Sequence, residues 1–378
     1  MTLFLEGGVA NAMVDFEGHT ASLVAVISDV VRNGARVTGV AFGSIGRFGQ
    51  HGIISERIAP RLTSASPESL LDEETGTLVP SQVAAVAMRG EKPGGHGDRA
   101  TAVAAVELAV WDLIAKLADE PAYATISRHV GRPGHERGVP VYAAGGYYSP
   151  DGSVDLTDEF RDLQERGFRD FKMKVGAASL AEDLRRVESV CGVVGPEHLA
   201  VDANGRFGSR EVMAYADALA PYGLRWFEEP VDPLDFELLR QVIERFPSPV
   251  ATGENLFATS DVRNLLRYGG MRPGTDVFQM DAGLSYGLTE YVRMLDLLEA
   301  TGHDRASAYP HGGHLINVHI ATGLGLGGCE AYPTVFAPVG GFSDECSIEG
   351  GRIRPGTSPG FGLEAKGELR PLIAQLIA

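Results

Sequence analysis

Cysteine is scarce in this chain. Cys191, Cys329 and Cys346 are the only three, far apart and outside any CxxC pattern. A disulfide scaffold and a cysteine-based zinc site are therefore not expected. Positive charge is also short: 33 Lys and Arg face 50 Asp and Glu, a net charge of −17. That balance repels nucleic acid phosphates and anionic membrane surfaces, so neither is an expected partner. A small anionic substrate remains compatible if lysines or a metal supply positive charge locally. No apolar run reaches the ~18 residues of a membrane span. The first residues, MTLFLEGGVANAMVDFEG, lack the basic start and apolar stretch of a secretory leader. A cytoplasmic location is the expectation.

Apolar residues make up 44% and charged residues 22%, so a folded core is expected. The length of 378 residues suggests two or three domains at about 150 residues each. Glycine is abundant, 48 residues with no period, which points to many tight turns. Ser22–Ser28 and Val37–Phe42 read as the strands of a hairpin turning at Asn33-Gly34. Ala100–Leu117 reads as a helix, with Glu107 and Asp112 as solvated or capping charges. Arg132–Arg137 (RPGHER) reads as a domain boundary.

Beyond it, short apolar runs alternate with amphipathic helical patterns. The strand candidates are Val139–Ala143, Phe171–Val175, Leu199–Asp202, Arg225–Glu228, Val250–Thr252, Val277–Met280, Ala306–Tyr309 and Cys329–Tyr332. Eight strands separated by helices predict a closed parallel barrel, an α/β fold, rather than an open sheet.

Three of these runs end in a carboxylate: Asp202, Glu228 and Glu254, at equal steps of 26 residues. About that length completes one strand–helix unit. The three acids are therefore expected at equal heights on consecutive strands, at the barrel mouth where active sites form. Converging carboxylates repel one another without a cation, and an all-oxygen set suits Mg²⁺. Taken singly, each acid reads better as a surface residue at a helix start. The regular spacing favours the shared site.

Lys172 and Lys174 share one face of the preceding strand, FKMKV, and Phe171, Met173 and Val175 share the other. A solvated edge strand is one reading; an interior pair neutralised by the neighbouring acids is the better one. Crowding is expected to lower one lysine's pKa toward that of a general base. His311 ends the seventh run and Asp281 the sixth, so Asp281 is expected to orient the ring and favour its protonated form. Glu330 ends the eighth run and is expected to donate a hydrogen bond as a protonated acid. His314 and His319 read as structural.

The pieces KMK (Lys172–Lys174), VDAN (Val201–Asn204), EEP (Glu228–Pro230), GEN (Gly253–Asn255), Asp281, His311 and Glu330 resemble the mandelate racemase subgroup of the enolase superfamily in order and spacing. The resemblance implies a modified TIM barrel, (β/α)7β, with an α+β N-terminal capping domain. Residues 1–130 would form the cap, 131–338 the barrel, and 339–378 a segment returning to the cap. It also implies a homo-oligomer and Mg²⁺-assisted removal of a proton alpha to a carboxylate. A Lys or His base with Mg²⁺ is the superfamily's general pattern, not a deduction from this spacing.

Within the subgroup, ANAMVDF (Ala10–Phe16), EKPGGHGDR (Glu91–Arg99), YAAGGYY (Tyr142–Tyr148), GENLF (Gly253–Phe257), NLLRYGGMRP (Asn264–Pro273) and PHGGH (Pro310–His314) resemble the D-tartrate dehydratases. That likeness implies Asn11, Lys92, Tyr147 and Asn204 around the substrate, with Lys92 pairing the distal carboxylate of a diacid. The cap loop Phe42–Gly52 departs from it. Ile45 stands where those enzymes carry a substrate-contacting asparagine in a loop resembling FNSNGRYGQGG, so a different substrate preference is expected.

The expected reaction is dehydration of an acid sugar or 2,3-dihydroxy diacid, with D-tartrate to oxaloacetate as the first choice. Lys174 takes the alpha proton. Lys172 and Glu330 stabilise the enolate, and His311 protonates the departing beta-hydroxyl. Racemisation or epimerisation of a 2-hydroxy acid is the nearest alternative. Gly323–Gly328 matches GxGxxG but follows a helical pattern and precedes a strand, the reverse of a dinucleotide site. His311, His314 and His319 lack the spacing of a zinc hydrolase. With every member of the constellation present, a non-catalytic scaffold is disfavoured.

Overall fold

Asn33 and Gly34 take positive φ values of 50° and 80°, the pair of left-handed residues that a tight hairpin needs. They join β2 (Thr20–Arg32) to β3 (Ala35–Phe42), and β1 (Thr2–Phe4) pairs antiparallel with β2. The computed structural model describes every residue except 7–8, 136–137 and 149–154; the expected boundary at Arg132–Arg137 therefore falls partly outside the described residues.

Helix Asp98–Leu117 lies across this sheet and buries most of its length. The approach is close: a Cβ on Gly39 would meet the Ala109 carbonyl oxygen at 2.1 Å. Glu107 and Asp112 are not solvated, because their side of the helix is covered by the barrel and by the C-terminal segment. Both are fully buried. Glu107 caps helix Leu288–Ala300, accepting hydrogen bonds from Leu288 N, Thr289 N and the Thr289 hydroxyl, as well as Trp111 Nε1. A Cβ at Gly287 would strike the Glu107 carboxylate at 2.4 Å, so only glycine admits this contact. Asp112 accepts from Val40 N and Phe361 N and pairs with Lys116 at 2.5 Å. Burial nevertheless pushes the Asp112 carboxyl up to about 6.

The remainder is an α/β barrel. Strands β4 (Val139–Gly145), β5 (Asp170–Lys174), β6 (Leu199–Asp202), β7 (Phe227–Glu228), β8 (Val250–Thr252) and β9 (Val277–Phe278) pair in parallel in that order. Strand β10 (Cys329–Ala331) pairs with β4 and closes the ring. The seventh stave forms no ladder. Its first half, Ala306 and Ser307, belongs to a 3-10 turn (Arg305–Ser307), and the rest is tied by a single bridge from Ala308 to Phe278 and a bond from Tyr309 N to Phe278 O. Asp304 caps that turn at Ala306 N, which outcompetes extension there. A hairpin of β11 (Ser347–Glu349) and β12 (Arg352–Arg354) adds antiparallel to β4.

Helix Leu180–Val194 starts where the Ser179 hydroxyl accepts from Glu182 N, and Phe236–Arg245 where Asp235 accepts from Leu238 N. Helix Leu315–Leu324 has every residue buried, so no amphipathic period marks it in the sequence. Gly323 belongs to this helix, and the GxGxxG run leads into β10, which rules out a strand–glycine–helix phosphate site there. No described helix is long and apolar enough to cross a membrane.

Candidate active site

Alternation along β5 sends Phe171 and Met173 outward, where Phe160 packs edge-on against Phe171, and turns both lysines inward. Lys172 and Lys174 are 1% and 6% exposed. Lys172 Nζ lies 2.5 Å from Glu228, 2.7 Å from Glu330 and 3.2 Å from Asp202. Lys174 Nζ lies 2.5 Å from Asp202 Oδ2. Crowding does not lower the pKa of Lys172. Burial acts in that direction, but the charges of Glu228 and Glu330 outweigh it and hold the ammonium well above its ordinary value.

Lys174, Asp202 and Glu228 are direct register partners across β5, β6 and β7. Glu254 is not level with them. The register partner of Glu228 is Ala251, and Glu254 follows three residues later, past the end of β8, beyond Gly253 at φ 126°. The chain still brings one oxygen from each of Asp202, Glu228 and Glu254 within 4.8 Å of the others. Burial and then the charge of Asp202 push the Glu228 carboxyl up to about 8. Burial alone would raise Asp202, but Lys174 and Lys172 hold it below the usual carboxylate range. Glu254 Oε2 is buried without a hydrogen-bond partner. An all-oxygen triad with one orphaned acceptor and mutual repulsion fits a hard divalent cation.

His311 stands across the mouth. Asp281 Oδ2 lies 3.5 Å from its Nδ1, Glu254 Oε2 lies 3.7 Å from its Nε2, and the Tyr332 hydroxyl is 3.0 Å from Nε2. Burial disfavours the imidazolium, yet Glu254, Asp281 and Glu330 raise its pKa to about 9. These neighbours favour the protonated ring. Asp281 is held below the usual carboxylate range despite burial by the facing rings of His311 and His314. Glu330 differs from its expected role. Burial would protonate it, but Lys172, His311 and Lys174 hold it ionised, and its Oε2 accepts from Gly312 N. It is an acceptor here, not a donor. His314 and His319 are structural: His314 bonds Ser44 and Asn317 N, and His319 Nδ1 accepts from Tyr123 N.

A cavity of about 400 Å³ opens above this group. Lys174, Glu254, His311, Asn11, Tyr147 and Asn204 all line it. Asn11 is braced by bonds from Met13 N and Val14 N, and Asn204 leaves a buried Oδ1 unpaired. Lys92 is not there. It is exposed and lines a separate cavity with Glu91, His96 and Arg99, held away by a loop that Arg99 ties down at the Lys92 and Gly94 carbonyls. Ile45 does line the cavity but is 2% exposed.

Glu229, Asn255 and Tyr332 also line the cavity, though no sequence pattern singles them out. Glu229 takes a left-handed φ of 38° so that its carboxylate turns to Asn255 Nδ2, 2.7 Å away. Its one cue is adjacency to Glu228 in EEP. Tyr332, two residues after Glu330, shares that residue's face of the chain and reaches the cavity.

The chain has relatives among known proteins. L-talarate/galactarate dehydratase of Salmonella typhimurium is 26% identical over 350 residues, 92% of this chain and 82% of that protein. Arabinonate dehydratase of Saccharolobus solfataricus is 28% identical over 235 residues, 61% of this chain; the match spans only 60% of its own length. Among solved structures, a racemase from Streptomyces coelicolor A3(2) with bound magnesium superposes with a TM-score of 0.76 at 23% identity, covering 100% of this chain and 99% of that one. The family model for enolase C-terminal domain-like proteins matches residues 155–369, more than half of the chain. The protein belongs to the enolase–mandelate racemase superfamily.

Proposed function

We propose that the protein is a Mg²⁺-dependent dehydratase of an acid sugar, a carbon–oxygen lyase. The observation that carries this reading is one cavity lined by both a lysine and a histidine, beside three converging carboxylates. Asp202, Glu228 and Glu254 would hold the ion, which supplies a Lewis acid for the substrate carboxylate. Lys174, which faces the cavity and pairs with the ion-holding residue Asp202, would remove the alpha proton. Lys172 stays cationic and stabilises the charge that develops on the enolate. His311 delivers its proton to the departing beta-hydroxyl, and Asp281 keeps the ring charged and oriented. The enol product then becomes a 2-keto acid. Glu330 serves this scheme as the fixed counterion of Lys172. Asn11, Tyr147 and Asn204 surround the substrate.

D-tartrate, giving oxaloacetate, is our first candidate, supported by the sequence runs shared with that dehydratase family. The cap, barrel and returning tail act as separate domains in this reading, and the protein works as a homo-oligomer. The test is a screen of acid sugars and tartrate isomers for keto acid formation with Mg²⁺, repeated with Lys174→Ala. Keto acid from the wild type and none from the variant supports the reading. Alpha-deuterium exchange without keto acid would instead make the enzyme a racemase or epimerase.

A further inference from the structure

Each acid of the triad offers its two oxygens to different company. Asp202 Oδ1 accepts from Asn204 N at 2.9 Å, while Oδ2 faces Lys174 at 2.5 Å and Lys172 at 3.2 Å. Glu228 Oε2 accepts from the indole Nε1 of Trp226 at 2.8 Å, while Oε1 faces Lys172 at 2.5 Å. On Glu254 the Asn255 amide reaches Oε1 at 3.4 Å, while Oε2 lies 3.7 Å from His311 Nε2. One oxygen of each carboxylate is thus marked by a neutral N–H, and the other faces an ammonium or the His311 ring. Two of the neutral donors are close to their acids in the chain, a backbone N–H and the amide next in sequence. The third is the indole of Trp226, which has no work in the chemistry above.

Trp226 extends β7 backwards, and its carbonyl accepts from Val201 N. Residues two apart share a face of a strand, so the indole lies inside the barrel, one layer deeper than Glu228, while Phe227 points outward to Phe246. Trp226 is 1% exposed. Tyr142 meets it edge-on at 5.0 Å, and the Arg225 guanidinium lies 5.0 Å over its ring. This packing fixes the ring, and with it the direction of a single N–H. A phenylalanine would fill much of the same space and leave Glu228 Oε2 buried without that donor.

The consequence for a metal follows from what each ion demands. Ca²⁺ takes about six to eight oxygens and accepts both oxygens of one carboxylate, whereas Mg²⁺ is smaller and holds to near-octahedral geometry. A carboxylate with one oxygen tied to a rigid indole is not free to turn both toward an ion. We propose that Trp226 is a positioning residue that commits Glu228 to the metal through one oxygen, and so sets a preference for Mg²⁺ over Ca²⁺. The proposal rests on the reading of Asp202, Glu228 and Glu254 as the metal site.

The test titrates the metal-free protein with magnesium chloride and, separately, with calcium chloride by calorimetry, without substrate. The wild type is expected to bind Mg²⁺ more tightly than Ca²⁺. Trp226→Phe is expected to weaken Mg²⁺ binding by about 10–100-fold, the usual cost of losing a partner of a metal ligand, and Ca²⁺ binding by about tenfold less. Benzothienylalanine placed at position 226 alone puts sulfur where the indole N–H was, in nearly the same outline. It is expected to lower the Mg²⁺-to-Ca²⁺ ratio in the same way, so the outcome does not depend on how well the phenylalanine variant folds. An unchanged ratio in the benzothienyl protein, or equal weakening of both ions, overturns the proposal, because a merely structural tryptophan would act on both alike. A wild type that binds Mg²⁺ without preferring it to Ca²⁺ overturns the positioning role and leaves the metal site standing. A wild type that binds neither ion overturns both.

Discussion

Raising the pH is expected to destabilise the metal-free protein, and magnesium is expected to reverse the trend. The cause lies at Glu228, whose carboxyl is pushed from 4.5 to about 8 by burial and then by the charge of Asp202. Between those values the folded chain holds a proton that the unfolded chain has lost. Stability from this group is therefore complete below pH 4.5 and disappears as the pH rises through 8. From pH 6 to pH 8 the loss is about 2 kcal/mol, at about 1.36 kcal/mol per pH unit. For a chain this long that lowers Tm by roughly 2–3 °C. His311, raised to about 9, acts in the same direction, as do the buried carboxyls of Glu229 and Asp112, so the wild-type slope contains more than Glu228. Glu228→Gln keeps the shape and removes one titration. Scanning calorimetry in EDTA at pH 6 and pH 8, for wild type and variant, isolates the Glu228 contribution. With saturating Mg²⁺ the carboxylates are held ionised and wild-type stability rises with pH. Equal slopes for wild type and Glu228→Gln in EDTA would refute the account.

Two other perturbations separate the roles of charge at the site and in the frame. His311→Asn is expected to slow keto acid formation by about 10²–10⁴ while deuterium still enters the alpha carbon from solvent, followed by NMR; equal loss of both would remove His311 from the role of leaving-group acid. Glu107→Ala strands donors from Leu288, Thr289 and Trp111 and is expected to cost about 3 kcal/mol in denaturant unfolding, with Glu107→Gln costing less. A cost below about 1 kcal/mol for the alanine variant would show that water satisfies these donors.

The barrel is legible in the sequence where periodicity and position coincide. Strands β6 and β8 have the expected bounds, and the inward turn of Lys172 and Lys174 follows from alternation alone. Positions whose environment depends on what lies opposite are not legible there. Glu107 and Asp112 look like surface charges on a helix until the barrel helix and the tail that need their oxygens are in place. Equal 26-residue steps suggested equal heights, yet Glu254 sits past its strand because β8 stops at Thr252. The pKa of Lys172 depends on three acids from three strands, which no local pattern encodes. Lys92 was assigned by likeness of a loop, and loop conformation is the property that likeness transfers least well.

The thin seventh stave has a consequence for how this enzyme can vary. The segment that carries His311 is joined to its neighbours by few backbone bonds, among them Tyr309 N to Phe278 O, His311 N to Gln279 O and Gly327 N to Ala308 O. The Asn317 amide secures the His311 carbonyl from the helix that follows. His311 thus hangs from a side-chain tether rather than from a continuous ladder. Small changes around Asn317 can re-aim the imidazole while the lysine arm, locked by four paired residues to β6, keeps its place.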